Sequence, residues 1–155
     1  MATRIRIFLD TSVIFAGIWS AKGGGRMLLR LGEAGAISLV MSRLAIQELE
    51  GAPRNKAPQS LGALALLLDR SDITVVGEPS ATNRSDARSF DDHPANAEIL
   101  ASAMGSDIEY FVTLDRKHFL ENEKLPLAVA FKIGTPAECL EWIRRRLRRM
   151  AGGRT

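Results

Sequence analysis

Five polar positions in this 155-residue chain stand where their chemistry matters most: Asp10, Glu48, Asp92, Asn96 and Asp115. Asp10 closes the apolar run Ile5–Leu9, and Asp115 follows the apolar run Tyr110–Leu114, so both acids fall at the ends of expected strands. Taken singly, an aspartate at such a turn caps the helix that follows. Two of them on one sheet edge repel, which raises one pKa or calls for a cation between them; a divalent metal held by hard oxygen donors is the economical resolution. Glu48 adds a third carboxylate. At 100° per residue it shares a helix face with Leu44, Ala45 and Leu49, whereas Glu50 is turned about 200° away, toward water. A carboxylate on an apolar stripe is costly unless paired or metal-bound.

In the stretch from Asp91 to Met104, the residues Ile99, Leu100, Ala103 and Met104 mark a buried helix face. Asn96 precedes Ile99 by three positions and Leu100 by four, which puts it on that face, while Glu98 points elsewhere. Pro94 fits a first helical turn and leaves Asp92 and His93 at the cap, within reach of the same cleft. His93 reads either as a base or as a capping residue.

These residues need a frame to hold them. Strands are predicted at 4–9, 37–41, 73–76, 110–114 and 128–133. Helices are predicted at 13–19, 26–33, 42–50 (broken by Gly51 and Pro53), 58–69, 94–104 and 136–149, with a short turn after Asp115. The glycines at 23–25 lack the spacing of a phosphate loop and any strand just before them, and read as a hinge or a loop lining a cleft. Residues 77–93 show little periodicity and read as a long polar connection. The alternation of strand and helix predicts an α/β fold with a mainly parallel sheet covered on both faces, whose ligands bind at the carboxyl ends of the strands.

The composition, 46% hydrophobic and 25% charged with one cysteine, is that of a single globular domain that needs neither disulfide nor structural metal to fold. No stretch has the length or purity of a membrane span or a signal peptide, which predicts a cytoplasmic protein without a membrane partner. The net charge of +3 conceals an asymmetry. Residues 144–155 hold six arginines and no acid, so residues 1–143 carry an acidic excess of three. We therefore divide the chain into a body, 1–143, and an arginine-rich helix end and tail, 144–155, which either contacts phosphates or complements the dipole of its helix.

Phe8-Leu-Asp-Thr-Ser-Val13, the isolated Glu48, the helix reading Ala97-Glu-Ile-Leu-Ala-Ser-Ala103, and Phe111-Val-Thr-Leu-Asp-Arg-Lys-His-Phe119 together resemble a PIN domain of the PilT amino-terminal type, over almost the whole chain. The resemblance implies a three-layer α/β/α sandwich and a ribonuclease dependent on Mg²⁺ or Mn²⁺, commonly the VapC-type toxin of a toxin/antitoxin pair, with an antitoxin protein as partner. The family's acids fall on Asp10, Glu48 and Asp115. Thr11, Ser12 and Thr113 are then the hydroxyl residues that orient them. The remaining family acid falls on Asn96. Three readings follow from that departure: Asp92 supplies the charge, Asn96 is a neutral metal ligand, or the site is silent.

Arg116, Lys117, Arg144 and Arg145 are candidate RNA contacts. Apolar positions around Leu28, Leu29 and 64–68 fit either a core or a homodimer surface. Two further functions keep the fold class. A catalytically silent PIN-like module would bind RNA or protein without cleaving it. A phosphoacceptor receiver domain would need an acidic pair at the first strand and a lysine at a late strand end, and Lys132 does not clearly supply the latter.

Overall fold

The computed structural model describes residues 4–19, 23–56, 65–66 and 68–152. In chain order they form β1 (Ile5–Leu9), α1 (Thr11–Trp19), α2 (Gly24–Glu33), β2 (Ile37–Ser42), α3 (Arg43–Lys56), β3 (Thr74–Val76), α4 (Ala81–Phe90), α5 (Pro94–Met104), β4 (Tyr110–Val112), a π-helical turn (Arg116–Leu120), α6 (Leu125–Ala128), β5 (Lys132–Gly134) and α7 (Pro136–Gly152). All five strands are parallel and lie in the order β3-β2-β1-β4-β5.

Burial explains which strand lies where. Ile7, Phe8 and Leu9 alternate faces along β1, yet all three are fully buried. Helices must therefore cover both sides of the sheet, the arrangement in which central parallel strands read as unbroken apolar runs. The edge strands carry the exposed Thr74, Val75 and Lys132. At the centre Phe111 stacks on Phe8 with ring centroids 5.4 Å apart, and meets Phe119 at 5.0 Å and Phe131 at 6.1 Å.

The order reverses at β1. From there the chain builds outward through β2 and β3, then returns to place β4 and β5 on the other side, leaving a crevice beyond the carboxyl ends of β1 and β4. A receiver domain has the order 2-1-3-4-5, so this topology removes that alternative.

Several local expectations are corrected. Residues 77–93 are not a long loop, because α4 occupies ten of them. Its pattern is faint because Ala87 is its one buried residue, and the helix is set by its cap: the Ser80 hydroxyl accepts from the Asn83 amide at 3.1 Å. Ser80→Ala is expected to cost about 1 kcal/mol, read as a lower urea midpoint with unchanged slope. An unchanged midpoint would assign α4 to its contacts with α5 alone. Helix α3 continues past Gly51 and Pro53 to Lys56, since a proline removes one donated hydrogen bond without necessarily ending a helix. The strand expected at 128–133 is shorter, with α6 in front of it.

Gly24 and Gly25 belong to α2 and form no hinge. A Cβ on Gly25 would stand 2.8 Å from the Val13 carbonyl, and one on Gly17 2.9 Å from Leu29 Cδ1, so the glycines let α1 and α2 pack closely. Leu28 and Leu29 are core residues and are unavailable to a dimer surface. Most of the helix expected at 58–69, and the Glu50 side chain, lie outside the described residues; within them Leu66 is exposed. Among the described residues no helix is long and apolar enough to cross a membrane.

Candidate functional site

β1 ends at Leu9, paired with Val112 of β4, so the next residues, Asp10 and Thr113, emerge side by side at the reversal point. The Asp10 amide still donates to the Val112 carbonyl at 3.0 Å. Its side chain is buried and accepts three hydrogen bonds: the Thr11 amide on Oδ1 at 2.9 Å, and on Oδ2 the hydroxyls of Ser12 at 2.9 Å and Thr113 at 2.8 Å. Both hydroxyls are themselves fixed. Ser12 Oγ accepts from the Leu114 amide at 3.1 Å, and Thr113 Oγ1 from the Asp115 amide at 3.0 Å. The small hydroxyl residues thus tie the end of β1 to the segment that carries Asp115.

Thr11 serves a different acid. Its hydroxyl donates to Glu48 Oε2 at 3.3 Å, drawing α3 toward α1. Burial raises the Asp10 pKa above its ordinary value; the three hydrogen bonds oppose the rise and the nearby Asp115 charge adds to it. Glu48 is also raised, first by burial and then by the Asp10 charge, while Thr11 and His93 work the other way. Asp115 caps the π-helical turn. Its Oδ1 accepts from the His118 amide at 3.0 Å, and its carbonyl accepts from the Phe119 and Leu120 amides, the latter being the five-residue bond that defines the turn.

The structure places Asp10 within electrostatic reach of both Asp115 and Glu48, and Thr113 and Thr11 donate to Asp10 and Glu48 respectively. Among the described residues no arginine or lysine forms an ion pair with any of the three acids. Asn96 is half-buried near the start of α5, and Asp92 is exposed with no hydrogen bond among the described residues. His93 is the N-cap of α5, is exposed, and makes no side-chain capping bond.

Sequence reasoning missed the neighbour of Asp92. Asp91 is buried, and its Oδ1 accepts from the His93 amide at 2.9 Å, an Asx-turn leading into Pro94. The His118 Nδ1 lies 3.2 Å from the same oxygen. The pattern Asp-x-His-Pro carries the turn signal, but nothing local in it announces a partner 27 positions away.

Arg116 and Lys117 are exposed beside Asp115. Arg144 and Arg145 instead share Glu141 on α7: Arg144 Nη2 is 2.6 Å from Oε1 and Nε 2.9 Å from Oε2, and Arg145 Nε is 3.2 Å from Oε1. Arg146 pairs with Glu109 at 3.1 Å and lies over the Trp142 ring. These three arginines are engaged on the helix surface, whereas Arg148 and Arg149 are exposed.

Hard carboxylate oxygens without a cationic partner suit Mg²⁺ or Mn²⁺ in kind, and Mg²⁺ needs only one or two carboxylates because it keeps several waters. Among the described residues there is no group of three or more histidine, cysteine or acidic side chains placed to hold a metal ion, so a protein-only cage is not formed.

No family model matches the chain, and no curated protein does. Twelve chains of solved structures match it. One belongs to the crystal structure of VapBC2 from Rickettsia felis bound to a DNA fragment from their promoter, with a TM-score of 0.63 and 14% identity. The alignment covers 84% of this chain and 98% of that one. At that identity the likeness is one of fold: this chain has the α/β, PIN-like fold of a chain in a VapBC2 complex.

Proposed function

We propose that the protein is a divalent-metal-dependent endoribonuclease of the VapC-like toxin kind. The observation that carries this reading is the uncompensated acidic cluster of Asp10, Glu48 and Asp115 at the sheet's reversal point. An RNA phosphate is repelled by such a cluster unless a cation lies between them. Asp10 and Asp115 would hold Mg²⁺ or Mn²⁺, with Glu48 facing them from α3 and Asn96 available as a neutral oxygen donor. When bound, the ion supplies positive charge against the phosphate and lowers the pKa of water.

The chain's own residues do the positioning. Ser12 and Thr113 hold Asp10 Oδ2, Thr11 holds Glu48, and the π-helical turn holds Asp115. Asp92, exposed one turn before Asn96, would supply the negative charge that Asn96 lacks, and the cations Arg116 and Lys117 would face the approaching RNA backbone. Arg144 and Arg145 would contact RNA only by giving up Glu141. The fold shared with a chain of a VapBC2 complex supports an antitoxin protein as partner and, with it, a cytoplasmic toxin role for the single domain 1–143 and its basic tail.

The purified protein incubated with a mixed single-stranded RNA pool is expected to cleave in Mn²⁺ or Mg²⁺ and to stop in EDTA. Asp115→Asn is expected to lose about 100-fold or more of the rate, the scale on which one preorganised electrostatic contact acts. A parallel Mn²⁺ titration, read as paramagnetic broadening of the Thr11 and Leu114 amide signals, separates the two readings. Absence of both cleavage and broadening would overturn the nuclease and leave a silent PIN-like module that binds RNA or protein. That second reading is favoured by one specific feature, Asn96 in the place of an acid.

A further inference from the structure

Two segments border the acidic cluster from beyond the sheet: residues 91–93, which lead into α5 and Asn96, and the π-helical turn that carries Asp115. A single buried side chain joins them. The Asp91 carboxylate, 3% exposed, accepts from the His93 amide at 2.9 Å and faces His118 Nδ1, 3.2 Å from Oδ1 and 3.0 Å from Oδ2. Oδ2, though nearer, accepts no well-directed hydrogen bond. The contact is a hydrogen bond between the Asp91 carboxyl and the His118 ring, with the donor set by the tautomer of the imidazole. The His118 amide, in turn, donates to Asp115 Oδ1. The result is a continuous path from α5 through Asp91 and His118 to Asp115. The His93 and His118 rings lie 5.5 Å apart on the same side.

We infer that Asp91 is a positioning residue, which clasps the start of α5 to the Asp115 turn through His118 and so sets where Asp115 stands relative to Asp10. Asp91 is buried and already engaged by His93 and His118, so it does not replace the acid absent at Asn96. The inference rests on the nuclease reading for its catalytic consequence and on geometry alone for its structural one.

Asp91→Ala is expected to lower kcat by about 10- to 100-fold, the scale of a misplaced catalytic group, with KM for RNA changed less than about 3-fold. It is also expected to raise amide exchange at His118 and Leu120 at least about 10-fold. His118→Asn keeps a donor at the Nδ1 position without a titratable ring, and is expected to retain kcat within about 3-fold. His118→Ala should match Asp91→Ala. Wild-type kcat in a folded Asp91→Ala protein would overturn the clasp, as would unchanged exchange in the turn. Inactivity of His118→Asn equal to that of His118→Ala would overturn it in favour of direct chemistry by the imidazole. If the wild type shows neither RNA cleavage nor Mn²⁺ broadening, the nuclease reading falls, and the exchange comparison still decides whether Asp91 holds the turn.

Discussion

Asp10→Asn is expected to melt at a higher temperature than the wild type at pH 7 in EDTA, while losing at least about 100-fold in RNA cleavage. Folding raises the Asp10 pKa above its ordinary 3.8, chiefly by burial, and that of Glu48 above 4.5 for the same reason. The folded state therefore holds protons that the unfolded chain has released. The stability this confers is full below the ordinary carboxylate values and is lost as pH rises through the two raised ones. Above the two raised values the folded protein bears buried negative charge, and the asparagine removes part of it. The amide keeps the contact with the Thr11 amide through its oxygen, and its two N–H groups would face the Ser12 and Thr113 hydroxyl oxygens, a gain set against the loss of an acceptor for the two hydroxyl protons. Asp10→Ala should instead melt lower, because each buried donor left without a partner costs about 1–3 kcal/mol. A melting curve across pH 4–8 with matched cleavage assays checks both. A fall in melting temperature for Asp10→Asn at pH 7 would show that the hydrogen bonds outweigh the buried charge.

Phe111→Ala is expected to cost about 3–5 kcal/mol of folding stability, measured by urea unfolding. The ring is fully buried on the central strand β4 and contacts Phe8, Phe119 and Phe131, which come from three other parts of the chain. A sheet packed on both faces has little freedom to collapse around the void. Phe119 lies in the same turn as His118, so the loss should also loosen the Asp115 side of the cleft. A cost below about 1 kcal/mol would mean that neighbouring rings refill the space.

Much of this architecture is legible in the residues. The apolar Ile7-Phe8-Leu9 before Asp10 reads as a strand buried on both faces, and the matching Tyr110-Phe111-Val112 ahead of Asp115 puts both acids on the same sheet edge. The face shared by Glu48 and Leu44 follows from helical geometry alone. What stays hidden has physical reasons. Helix α4 buries only Ala87, so its apolar pattern is nearly flat and its cap is the one local sign. Asp91 and Asp92 are chemically identical neighbours, and which of them turns inward depends on His118, 27 positions later. Nor does the arginine cluster disclose that Glu141, one turn earlier on the same helix, engages both Arg144 and Arg145.

The hydrogen bond from Thr113 to Asp10 spans 103 positions. Closing so long a loop costs entropy before any contact repays it, and parallel pairing between such distant segments is intrinsically slow. Asp10 has two donors close at hand in the chain, the Thr11 amide and the Ser12 hydroxyl, whereas its third, Thr113, follows only with β4. Asp10 and Asp115 are therefore brought together only by the long-range pairing of β1 with β4.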